Sequence, residues 1–160
     1  MQELVNQYFK GVQMRKKKGF LIFILSLGVS AHTLAATVES CPSPAQIKRT
    51  VGVYSARTSD NEGEWLGIAP AGSGGNIRQF NAATFYPAQD DDVSRGSLAK
   101  CSYEVDKGTV DLRYKPNSLP EPVVALEGST VWHRKEGPFG VIYYECTDPT
   151  ASGCKFTIVR

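Results

Sequence analysis

Asp90, Asp91 and Asp92 form the densest charge run in the chain. Three carboxylates in one loop could hold calcium, and two of them could share acid–base work. Consecutive residues converge poorly on a single ion, however, and the alternating ligand spacing of a calcium loop is missing. The run therefore reads as a solvated loop between strands. Glu62 and Glu64 stand just ahead of Trp65, the composition of a sugar-cleaving pair beside an aromatic platform. Acidic turn residues before a core tryptophan account for the same string. His133 is the one histidine after residue 36, so any Ser-His-Asp or Cys-His arrangement would have to use it. It lies in TVWHRKE, a strand-like run, and reads as a surface histidine. There is no G-x-S-x-G elbow and no H-E-x-x-H. Gly72 to Gly75 (GSGG) has no Lys-Ser/Thr after it and no helix to follow, so it is a flexible turn rather than a phosphate cradle. No catalytic residue, metal site or cofactor is assigned. Trp65, Trp132, Tyr143 and Tyr144 remain as an aromatic binding patch, set against the competing reading that tryptophans in so small a domain fill the core.

The four cysteines, Cys41, Cys101, Cys146 and Cys154, all lie beyond residue 36. Cys146 and Cys154 enclose TDPTASG, seven residues rich in turn formers, which suits a short hairpin loop closed by a bridge. Cys41 then pairs with Cys101 and ties the start of the domain to a central strand. Zinc is the rival use of four cysteines. No C-x-x-C is present, and thiolate ligands would have to stay reduced.

The compartment follows from the first 36 residues. Arg15 to Lys18 is a basic stretch, Phe20 to Val29 is a ten-residue apolar run, and Thr33-Leu34-Ala35-Ala36 offers small residues to a peptidase. That order is a secretory signal peptide, with cleavage expected after Ala35 or Ala36. The apolar run falls short of the roughly 20 residues a membrane-spanning helix needs. Met14 is the more ordinary start, since MRKKKGFLIF opens the basic stretch. Lipidation at Cys41 is disfavoured by Glu39 two residues before it.

Charge must be recounted once the leader is set aside. The whole chain carries 18 Lys+Arg and 16 Asp+Glu; five of the former and one of the latter precede residue 37, leaving 13 against 15, a net charge of −2. No basic stretch with interleaved aromatics remains, so nucleic acid is not a partner the sequence supports. After signal cleavage no membrane association is expected either.

Residues 37–160 make one domain by size. Ala99, Cys101, Tyr103 and Val105 alternate with Lys100, Ser102 and Glu104. After Asp106-Lys107-Gly108, Val110, Leu112 and Tyr114 alternate with Asp111, Arg113 and Lys115. This is the clearest hairpin, wet on one side and buried on the other. Short strands at close spacing recur to the end of the chain, without helical periodicity or internal repeat. The fold class is mainly β, a β-rich α+β chain forming a small antiparallel barrel or sandwich with two disulfides. Pro42 to Thr50 reads as a short helix or turn, capped by Ser43 with Pro44 in its first turn, and the fold class takes it as one short N-terminal helix.

CPSPAQIK, GVYSA, EWLGIA, IRQFNAATF, GSLAKCSYEV, VDLRY and the closing CKFTI carry a family likeness. The chain resembles a family of small secreted gammaproteobacterial proteins, intracellular pathogens among them, whose domain is of unknown function. The resemblance spans nearly all of residues 37–160. It implies export, disulfides and a compact β-rich domain, and it supplies no active-site residues.

The sequence thus leans away from an enzyme. Its leading reading is an exported interaction module, periplasmic or secreted, binding an unidentified protein or glycan. A periplasmic inhibitor or a secreted virulence factor would both fit. The rivals are a small secreted hydrolase using Glu62, Glu64 or Asp90 to Asp92, and an envelope component tethered by an uncleaved leader.

Overall fold

The computed structural model describes residues 36–116, 121–128 and 130–159. The signal segment up to Ala35 and the alternative start at Met14 lie outside the described residues. No helix among the described residues is long and apolar enough to cross a membrane.

Eleven strands follow one another: β1 Thr37–Ser40, β2 Lys48–Thr50, β3 Val53–Arg57, β4 Gly63–Ile68, β5 Gly74–Pro87, β6 Gly96–Lys107, β7 Thr109–Pro116, β8 Val123–Leu126, β9 Trp132–Glu136, β10 Ile142–Cys146 and β11 Lys155–Val159. All pairings are antiparallel. The long β5 and β6 are the spine. From β6 the sheet runs through β7, β4 and β3 to β2; from β5 it runs through β10 to β9. A third arm, β8–β11–β1, joins β6 at the Gly96–Val124 pair.

Bulges curl this sheet into a half-barrel. Along β5 the register against β6 slips at Arg78 and again at Asn81, where one strand carries an extra residue. Each slip bends the strand and adds right-handed twist. A further slip leaves Ala99 as the extra residue on β6, between the Phe85–Leu98 and Thr84–Lys100 pairs. Strict alternation therefore breaks there. Leu98, Cys101, Tyr103 and Val105 point inward, and Ala99, expected on the buried face, is only half-buried. Curling brings β3 to the start of β5, where the Tyr54 hydroxyl donates to the Gly75 carbonyl at 2.7 Å.

The concave side holds the core. Trp65 on β4, Tyr114 on β7 and Phe156 on β11 meet edge to face, with centroids 5.4 to 6.2 Å apart. This cluster pins the β8–β11–β1 arm over the β4–β7 ladder. Phe85 packs on Tyr144, and Phe80 on Tyr103. The Tyr103 hydroxyl donates to the Pro42 carbonyl at 2.6 Å, and burial pushes its ionisation far above the ordinary tyrosine range. Both bridges join the cysteines that spacing paired, Cys41 with Cys101 and Cys146 with Cys154.

Three local expectations are corrected. The N-terminal helix is absent: Pro44–Gln46 forms a single 3-10 turn, and the chain is extended again by Lys48. Ser43 and Gln46 do close the turn, the Gln46 side chain accepting from the Ser43 amide at 2.8 Å. Beyond it β-branched Ile47 and Thr50 disfavour a helix, Val51 and Gly52 turn the chain at positive φ into β3, and one capped turn cannot nucleate a helix alone. Cys146 and Cys154 do not flank a hairpin. β10 pairs with β5 and β9, while β11 pairs with β1 and β8, so the bridge closes a corner between two arms of the sheet. The GSGG stretch is more than a turn, since Gly74 and Gly75 open β5.

Gly96 marks the junction of β5, β6 and β8. A Cβ there would sit 2.3 Å from the Tyr86 carbonyl oxygen and 2.4 Å from the Phe85 ring. Neither the backbone nor a core ring can yield cheaply. Gly96→Ala is expected to cost about 1–3 kcal/mol. Urea unfolding measures this, and an unchanged midpoint would show that the junction is looser than described.

Candidate functional site

The four strands β2, β3, β4 and β7 form an outward face whose composition differs from the rest of the domain. Alternation sends Tyr54, Ala56, Trp65, Leu112 and Tyr114 into the core. It leaves Val53, Ser55 and Arg57 of β3, Glu64, Leu66 and Ile68 of β4, and Asp111, Arg113 and Lys115 of β7 outside. Register arranges them in rows. Lys48, Ser55, Leu66 and Arg113 lie opposite one another across four strands. Arg57, Glu64 and Lys115 form the next row, and Thr50, Val53 and Ile68 the row on the other side. Neighbouring strands stand about 4.8 Å apart and same-face residues on a strand about 6.8 Å.

Two depressions mark this part of the surface. A groove of about 630 Å3 is lined by residues that include Gln46, Lys48, Ser55, Arg57, Asn61 and Glu64. A hollow of about 360 Å3 has Leu66, Ile68 and Pro70 as its apolar part, with Thr109, Asp111, Arg113 and Lys115 around them. The hollow exists because two strands part. The β4–β7 ladder ends at the Leu66–Arg113 pair, while Gly67 and Ile68 continue along β3 alone. Gly67 is needed at the parting, because a Cβ would lie 2.5 Å from the Asp111 carbonyl oxygen.

Charge on the face is unbalanced. Lys48, Arg57, Arg113 and Lys115 make no salt bridge among the described residues. Glu64 is the one acid in their rows, opposite both Arg57 and Lys115. The balance is three positive charges on a domain that is net negative. Asp111 also lines the hollow, but its charge is matched by Lys100. Its carboxylate accepts from Lys100 at 2.8 Å and from the Ser102 hydroxyl at 2.6 Å. Partial burial pushes this carboxyl up, but the Lys100 and Ser102 hydrogen bonds and the charges of Lys100 and Arg113 outweigh it. It therefore titrates below the usual carboxylate range.

A depressed folded-state value means stability that is present above the unfolded value, 3.8 for a free Asp, and is lost as pH falls through the lower folded one. Wild type should therefore lose more stability between about pH 5 and pH 2 than Asp111→Asn does, because the variant has already forfeited this linkage. Urea midpoints across that range test it; parallel profiles would show that Asp111 gains nothing from its partners.

The sequence candidates fall elsewhere or are dispersed. Trp65 is fully buried and Trp132 is 4 % exposed, its indole N–H donating to the Lys155 carbonyl at 3.2 Å. Tyr144 is buried; Tyr143 alternates to the other side and lies half-buried against exposed Tyr86. The four aromatics therefore do not form one surface patch. Glu62 is exposed in the turn before β4, and Glu64 joins the groove. Asp90, Asp91 and Asp92 sit in the β5–β6 connection, apart from that groove. Asp91 is ion-paired with Arg134 and accepts from the Tyr144 hydroxyl at 3.4 Å. The Arg134 hydrogen bond holds its carboxyl below the usual range. Asp92 accepts from the Ser94 amide at 2.9 Å and hydroxyl at 2.6 Å, bonds that lower it likewise. His133 is exposed on β9 opposite Glu145. Among the described residues no group of His, Cys, Asp and Glu is arranged to hold a metal ion.

Sequence reasoning missed Lys48, Arg57 and the apolar residues between the cations. Alternation in VDLRYK does mark Arg113 and Lys115 as outward. Their approach to Lys48 and Arg57 depends on three ladders that no local pattern encodes. No curated protein and no solved structure matches the chain. The match to a family spans residues 36–157, almost the whole described domain, and the chain belongs to that family, described as a protein of unknown function, DUF3757.

Proposed function

We propose that the domain is an exported, non-enzymatic interaction module that seats a partner on the outward face of β2, β3, β4 and β7. One observation carries this reading: Lys48, Arg57, Arg113 and Lys115 face one acid in their rows, Glu64, and lie beside exposed aliphatic side chains on a domain of net negative charge. Keeping such charges together costs self-repulsion, and Ile68 remains 71 % exposed among them. A partner of opposite sign relieves the first cost, and its contact covers the second. The two disulfides support export, because such bridges persist in oxidising compartments. The hydrolase reading receives no support from geometry, since Glu62 and Glu64 lie at the start of β4 while Asp91 is tied to β9 and β10.

A photocrosslinking residue at Ile68 tests the proposal in cells that produce the protein. It should yield a discrete adduct in the exported fraction, and the same residue at Lys135 on β9 should not. Equal patterns from both positions, or protein retained in the cytoplasm, would overturn it.

A further inference from the structure

We infer that the partner on this face is an acidic protein segment bearing aliphatic side chains, gripped at the hollow where β4 and β7 part. The inference deepens the docking reading and rests on it.

The sign of the partner follows from the face. Arg113 and Lys115 stand on one strand two residues apart, about 6.8 Å. That equals the spacing of same-side residues in any extended segment. Acidic side chains at alternate positions of a segment running along β7 would meet both cations in turn. Arg113 also donates to the Ala99 carbonyl at 3.3 Å, which holds its guanidinium near the strand rather than loose in solvent. Lys48 and Arg57, on β2 and β3, extend the positive field across the face.

The chemical class follows from what lies between the charges. Leu66, Ile68 and Pro70 give the hollow aliphatic surface. The rings of these strands, Tyr54, Trp65 and Tyr114, all turn inward. A sugar ring gains its apolar contact chiefly by stacking its C–H face on an aromatic side chain, and none is offered here. Leucine, isoleucine or valine side chains fit an aliphatic hollow without that requirement. Polyanions without apolar groups would satisfy the cations but leave Ile68 wet. Exposed ion pairs are individually weak and screened by salt, so the aliphatic contact must supply selectivity.

Three labelled decapeptides and heparin serve as probes of the disulfide-intact protein; each peptide has Ser at every second position, and its other positions, which share one face of an extended segment, carry Glu-Glu-Leu-Leu-Glu (Glu–Leu), Glu throughout (all Glu), or Lys-Lys-Leu-Leu-Lys. Fluorescence anisotropy should show the Glu–Leu peptide binding at least about tenfold more tightly than either other peptide or heparin per site. Arg113→Glu with Lys115→Glu should weaken it by about tenfold or more, Ile68→Ser by several-fold, and Lys135→Glu not at all. Near-ultraviolet circular dichroism confirms that each variant is folded. Suppose instead that heparin or all-Glu binds as tightly, with Ile68→Ser silent and the charge reversals decisive. The face then selects anions alone, which overturns this inference and leaves the docking reading intact. Silence from every probe, with a crosslinked adduct still formed at Ile68, also overturns it and points to a partner of other chemistry. Silence from every probe and from the crosslinker removes the docking reading itself.

Discussion

Replacing Cys41 and Cys101 together by alanine is expected to lower the stability of the domain by about 4 kcal/mol, against about 2.5 kcal/mol for Cys146 and Cys154. The ordering follows from loop length. The first bridge spans a sequence separation of 60 and the second a separation of 8, so the first removes far more freedom from the unfolded chain. Burial does not separate the two bridges, since all four cysteines are fully buried; Cys101 pairs with Ala83 and Leu112, and Cys146 with Ala83 and Trp132. Cys41 fastens to Cys101 the segment whose Pro42 carbonyl accepts from Tyr103. Against the 5–15 kcal/mol typical of a whole domain, the loss is large enough to leave a visible unfolded population. Urea unfolding of the two double mutants decides the matter, and the reverse ordering would show that native-state packing, not chain entropy, governs these bridges.

Trp65→Ala should be comparably severe, at about 3–5 kcal/mol. Its ring touches Tyr114 and Phe156 at once, so its removal uncouples the β8–β11–β1 arm from the β4–β7 ladder. The indole nitrogen adds a second effect. It is buried without a hydrogen-bond partner among the described residues. An unpaired buried donor costs about 1–3 kcal/mol, so Trp65→Phe removes a penalty while it loses volume. The phenylalanine variant should therefore keep most of the stability that alanine loses. Denaturation followed by far-ultraviolet circular dichroism distinguishes them. Equal losses would mean that the indole donor carries no penalty, and that the fit of the larger ring is what matters.

Much of the sheet was legible because its core strands obey a period of two. Val110, Leu112 and Tyr114 against Asp111, Arg113 and Lys115 fix both the strand and its wet side. The cysteine pairing was legible because a short polar span left one sensible partner for Cys41. β1 and β2 were hidden for a physical reason: TVES and KRT are too short and too polar to show a pattern, and neighbouring strands hold them in place. β5 was legible as a strand but not as a bent one. Its slips at Arg78 and Asn81 answer to the twist of the whole sheet. The expected helix failed because capping residues can serve one turn as well as several. Of the proposed docking face only the outward placing of Arg113 and Lys115 was legible, since these two and Lys48 and Arg57 become neighbours only after β2, β3, β4 and β7 pair.

The pairing of β1 with β11, Thr37 opposite Ile158, has a kinetic consequence. An early strand finds its partner only after β11 has been made. High contact order of this kind makes folding slow. Until β11 arrives, Phe156 is missing from the Trp65–Tyr114 cluster and the third arm has no anchor. The arm that closes last is therefore the one that can be held open longest, and if the domain is exported as proposed, that delay suits passage through a narrow pore before the arm locks.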